Sequence, residues 1–144
     1  MRTWTATATA PAQPAAVLDV LTDPDACARW APLPFDVDEL ASRRLAAGSR
    51  ARVSGRLAGR RVGFDVEVHA ADETGLALSA DGPVGMDVDY RLAPVADGSE
   101  VRASISLRPS RGIAGRLLAE ATGALLTAGA LDHAVSRIVQ EVAA

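Results

Sequence analysis

Lysine is absent from this chain. All 15 basic residues are arginine, which with the abundant alanine points to a GC-rich genome rather than to an activity. Aromatic residues are scarce, at 3% against 49% hydrophobic, so a core has to be assembled from Val, Leu, Ile and Ala. Cysteine occurs once, as Cys27, which excludes an internal disulfide framework and suits a reducing compartment. Basic charge is not in excess either. A net charge of −3 argues against the clustered positive surface that nucleic acid requires. No apolar run reaches the roughly eighteen residues of a membrane span, and MRTWTATATAPAQP lacks the apolar centre of a signal peptide. The expectation is a cytoplasmic protein without stable membrane insertion. Cys/His metal spacing, GxSxG, CxxC and a phosphate-cradling glycine loop are all missing, so neither a metal nor a cofactor is expected.

What is present reads as one domain over residues 1–144, long enough to bury a substantial core. RTWTATATA alternates with period two and is rich in Thr, which predicts a strand with Trp4, Ala6 and Ala8 on one face. Pro14 opens a short helix over AAVLDVLT. Asp23-Pro24-Asp25 has the order of a helix start, with Asp23 as cap and an acidic group in the first turn. That second helix runs from Pro24 to Trp30, and Pro32 and Pro34 prevent its continuation.

From Phe35 to Pro109 the period switches to two. Val62, Phe64, Val66 and Val68 alternate with Gly63, Asp65, Glu67 and His69. Met86, Val88, Tyr90 and Leu92 alternate with Asp87, Asp89 and Arg91, and Val101, Ala103, Ile105 and Leu107 with Arg102, Ser104, Ser106 and Arg108. Turns at Asp72-Glu73-Thr74-Gly75 and Asp97-Gly98 give hairpin spacing, so the prediction is consecutive antiparallel strands with one apolar and one charged face. From Gly112 to Val142 the apolar residues recur at helical spacing: Ile113, Leu117, Ala121, Ala124, Ala128, Leu131, Val135, Ile138 and Val142. A single helix of ~30 residues, ~45 Å long, is expected to cover the sheet. Its stripe is large at both ends and small in the middle, which predicts a gap beneath Ala121, Ala124 and Ala128.

This order, with LTDPDACARWAP near the start and the DGSEV turn before the last strand, resembles the START/polyketide-cyclase (SRPBCC) superfamily over essentially the whole chain. GPVGMDVDYRLAPVADGSEV through SRGIAGRLL is also similar to the carbon-monoxide-dehydrogenase accessory relatives within that superfamily. The resemblance implies an α+β helix-grip fold: a curved antiparallel sheet of about seven strands wrapped on a long C-terminal helix, with two short helices after strand 1. It further implies a cavity for lipids, polyketides or other apolar molecules between sheet and helix, and Trp30 near it.

The residues expected at such a cavity are Trp30, Phe64, Val66, Met86, Val88, Tyr90, Ala121, Ala124, Leu125 and Ala128. Tyr90 is the one phenol of the chain and the candidate for a catalytic group. His69 lies on the charged strand face, His133 on the outward side of the helix, and Cys27 reads as structural. Asp132 lies on the shoulder of the helical stripe, facing either the cavity edge or solvent. Three functions stay open: a non-enzymatic binding or carrier protein for an apolar small molecule, a polyketide cyclase/dehydrase-like enzyme helped by Tyr90, or an assembly helper without ligand. A monomer or a homodimer fits each.

Overall fold

The computed structural model describes residues 2–31, 35–40, 43–57, 59–109 and 112–143. Strand β1 (Arg2–Ala10) leads into helices α1 (Pro14–Thr22) and α2 (Pro24–Trp30). Pro32 and Pro34, expected to stop α2, lie outside the described residues. Six strands follow: β2 (Phe35–Leu40), β3 (Arg50–Leu57), β4 (Arg60–Asp72), β5 (Gly75–Asp81), β6 (Met86–Val95) and β7 (Gly98–Leu107). The chain closes with α3 (Gly112–Thr127) and α4 (Ala130–Ala143). The seven strands form one antiparallel sheet in the order β1-β7-β6-β5-β4-β3-β2. Sequence neighbours β1 and β2 therefore sit at opposite edges, and α1 and α2 carry the chain between them. This is the expected helix-grip arrangement.

The period-two reading fixes the inward face. One row across the sheet is Trp4, Ile105, Val88, Leu78 and Val68, and the next is Ala6, Ala103, Tyr90, Leu76 and Ala71. A bulge between Val68 and Ala70 lets Val68 and Ala71 share that face. The outer face is charged, with exposed pairs such as Arg52–Asp65 at 2.8 Å and Arg91–Asp89 at 3.1 Å. Pairs in water contribute only ~0–1 kcal/mol each. At the sheet's open end Arg108 ties the β5–β6 turn to β7, reaching Asp81 at 2.8 Å and Asp87 at 3.5 Å.

The single C-terminal helix expected from the sequence is two helices. Gly129 adopts φ 102°, and its N–H bonds the carbonyl of Leu126 at 3.2 Å. A residue there without a side chain ends a helix at low cost, because an L-residue in that region crowds its own carbonyl. Asp132 is exposed and lies in the first turn of α4, where an acidic group suits the helix start. The expected stripe holds in α4, where Leu131, Val135 and Ile138 are buried. In α3 it is one residue out of phase. The buried residues are Gly115, Leu118, Thr122, Gly123 and Leu126, while Ile113 is 80% and Leu117 63% exposed.

The two helices also differ in their seats. α4 packs on β1 and against α1 and α2, with Arg29 clasping Glu141 through bonds of 2.9 and 3.0 Å. α3 approaches the sheet over β1, where Trp4 Nε1 donates to Thr127 Oγ1 at 3.2 Å and the Arg2 guanidinium lies 4.7 Å from the Trp4 ring centre. A side chain at Gly123 would start 2.8 Å from Arg2 Nη1, so this glycine lets α3 settle on the strand.

Candidate functional site, an apolar cavity

Inward-facing residues of β2 to β6 do not meet α3 or α4. They meet α2 and the segment between β2 and β3, and between them lies a cavity of about 160 Å³. Helix α2 supplies Pro24, Cys27 and Trp30. The sheet supplies Val53, Val62, Phe64, Val66, Leu76, Leu78, Ala80, Met86, Val88, Tyr90 and Ile105. Phe35, Val37, Leu40 and Leu45 close the side toward the β2 edge. The wall is almost wholly carbon. Arg56, itself exposed, is the one charged residue along it among the described residues.

Among the positions singled out from sequence, Trp30, Phe64, Val66, Met86, Val88 and Tyr90 come together here. Ala121, Ala124, Leu125 and Ala128 do not. Ala124, Leu125 and Ala128 are exposed and Ala121 half-buried, because the break at Gly129 turns α3 away from the phase assumed for it. The gap thus lies beside α2, not beneath the C-terminal helix. Sequence reasoning passed over Val37, Leu76 and Leu78, whose alternation was a usable signal. It had none for Leu45, which is placed by a backbone bond from its N–H to the Thr22 carbonyl at 2.9 Å.

Three side chains define the inner end. Trp30 is 4% exposed and meets the Tyr90 ring edge-on, with centroids 5.2 Å apart and planes at 81°. Its indole N–H is spent on the Val20 carbonyl at 3.2 Å, and the Cys27 thiol on the Leu21 carbonyl at 3.2 Å. Tyr90 is 1% exposed, yet its hydroxyl makes no hydrogen bond to any described residue. A buried phenol of this kind normally has a partner.

Electrostatics keep this end neutral. Burial, with a smaller contribution from Asp23, pushes the Cys27 thiol up from 9.0 to about 12. Burial likewise pushes the Tyr90 phenol far above its ordinary value, Cys27 adding a lesser part. A thiol held protonated is a poor nucleophile. A phenol held protonated can donate a hydrogen bond but cannot serve as a base near neutral pH.

The same shifts predict an alkaline weakness. Below the unfolded-state values both states keep their protons; above them only the unfolded chain ionises freely. Stability is therefore full below pH 9.0 and is lost as pH rises toward about 12 through Cys27. Tyr90 adds to the loss above 10.0. Melting temperatures across this range check it. In Cys27→Ala the onset of the fall should move up to the Tyr90 range, and an unmoved onset would clear the thiol of the effect.

Among the described residues no His/Cys/Asp/Glu group is arranged to hold a metal ion, and no helix is long and apolar enough to cross a membrane. His69 Nε2 pairs with Ser79 Oγ at 2.9 Å on the outer face, and His133 is exposed.

Several solved structures share this architecture. TTHA0849 of Thermus thermophilus superposes with a TM-score of 0.74 at 18% identity, over 99% of this chain and 97% of that one. DynU16, a protein of the dynemicin biosynthetic locus, matches at TM-score 0.62 and 22% identity, over 98% of this chain but 47% of its own. Ara h 8.0201 matches at TM-score 0.59 and 13% identity, over 99% and 97%. At such identities the likeness is one of fold. No curated protein sequence matches the chain. The family model described as polyketide cyclase / dehydrase and lipid transport matches residues 1–143. By its sequence pattern, its sheet order and this match, the chain belongs to the polyketide cyclase/dehydrase and lipid-transport family of the START-like superfamily.

Proposed function

We propose that this protein is a binding or carrier protein that holds an apolar small molecule in the cavity between α2 and the concave face of the sheet. The observation that carries this reading is the carbon-lined wall with one buried hydroxyl, Tyr90, left without a partner among the described residues. Apolar walls supply affinity without direction, and a single placed polar group orients what is bound. A cyclase would need a group able to take up a proton near neutral pH. The titratable side chains along the wall are Cys27, Tyr90 and Arg56, and the first two are held neutral by burial.

Native mass spectrometry of the protein purified from its source tests the reading directly. A co-purifying apolar molecule is the expected result. Repeated recovery of bare protein, together with no uptake of added apolar compounds, would refute it.

Tyr90→Phe separates the hydroxyl's two roles. With no protein partner to lose, the ligand-free variant should melt at the same temperature as wild type or slightly higher. It should bind an oxygen-bearing ligand more weakly by one hydrogen bond, ~0.5–1.5 kcal/mol. A fall in melting temperature with unchanged affinity would assign the hydroxyl to the fold instead.

A further inference from the structure

We infer that the ligand is an uncharged molecule of about one aromatic ring, carrying one hydrogen-bonding oxygen that meets the Tyr90 hydroxyl; this rests on the binding reading above. Size sets the first limit. The cavity measures about 160 Å³, whereas pockets for drug-sized ligands span roughly 300–1,000 Å³. An engineered apolar cavity of about 150 Å³ in another protein takes up benzene. Long acyl chains and fused polycyclic skeletons exceed that space.

Nor can the walls easily recede. Gly82 lies so close to Phe64 that a Cβ there would fall 2.7 Å from Phe64 Cδ1. The Phe64 ring therefore has backbone behind it. Trp30 is fixed by its bond to the Val20 carbonyl, and Tyr90 by the edge contact with Trp30. The small volume is built by constrained rings rather than by rotamers free to move aside.

Charge sets the last limit. Arg56 is exposed, and no other charged side chain lines the cavity among the described residues. An ionised ligand group brought inside would lose its water without gaining a partner, at high cost. A neutral carbonyl or hydroxyl needs only one donor, and Tyr90 supplies it.

Titration calorimetry on the intact chain tests this with phenol and benzaldehyde as one-ring probes, 1-anthrol as a three-ring probe, and benzoate and dodecanoate as charged ones. The neutral one-ring probes should bind at least tenfold tighter than any of the other three. Leu78→Ala, which widens the wall, should narrow the gap between phenol and 1-anthrol. Tighter binding of 1-anthrol or dodecanoate than of phenol would overturn the size or charge limit while leaving a binding protein in place. Failure of every probe would overturn the binding reading itself.

Discussion

Trp30→Ala is expected to destabilise the protein by about 3–5 kcal/mol, the range for removing a large buried aromatic side chain. The indole is 4% exposed and stands edge-on to Tyr90 at 5.2 Å. Its loss removes that ring contact and leaves the Val20 carbonyl without its 3.2 Å donor. It also joins the vacated space to the cavity beside it. The site has little capacity to collapse, since Phe64 is backed by Gly82 and Tyr90 sits in a central strand of the sheet. Urea unfolding should show the midpoint falling at a nearly constant slope, the sign of lost stability without a changed unfolded state. Trp30→Phe keeps most of the contact and loses the hydrogen bond, so it should fall between. A loss below about 1.5 kcal/mol for Trp30→Ala would mean that the surroundings refill the space and that the cavity walls are not constrained.

That residue also shows how much of the site could be read from sequence. Trp30 ends a helix whose start is written in Asp23-Pro24-Asp25, and Asp23 does accept the Asp25 N–H at 3.0 Å. Strand faces were equally legible. Side chains alternate with period two, so Phe64, Val66, Met86, Val88 and Tyr90 had to share one side once the strands were paired. The C-terminal segment was not legible in the same way. Its middle is rich in Ala and Gly, so several helical phases scan as an apolar stripe. The assumption that apolar means inward then chose the wrong one. Exposed apolar residues are ordinary on protein surfaces, and Ile113 at 80% exposure is an example. The terminating signal, Gly129 after Thr127-Ala128, was in the sequence and outweighed by the period. The cavity's position was hidden for a different reason. It depends on which edge of the sheet α2 covers and on where Leu45 docks, and neither leaves a local periodicity.

Gly75→Ala should be the most damaging single-methyl change in the molecule's cavity region. Gly75 starts β5 at φ 148°, a conformation L side chains rarely adopt. A Cβ there would stand 2.0 Å from the Tyr90 carbonyl oxygen and 3.2 Å from Arg91 Cα. The obstruction is backbone, so no rotamer change relieves it. Either the β4–β5 turn opens, where Asp72 accepts the Thr74 N–H at 2.8 Å, or β6 shifts at Tyr90. Backbone strain of this kind costs ~1–3 kcal/mol, and forcing packed atoms apart costs ~1–3 kcal/mol more. Thermal unfolding should register the sum as a drop in melting temperature of roughly 10 °C or more. Gly129→Ala is the informative comparison, because Gly129 also has positive φ, at 102°, but no atom within 4 Å of its Cβ position. It should carry the conformational strain alone, ~1–2 kcal/mol. Equal losses in the two variants would show that the contact with the Tyr90 carbonyl is relieved by small shifts. A larger loss in Gly75→Ala, with weakened binding of phenol, would show that the turn sets the position of the strand that carries the cavity's hydroxyl.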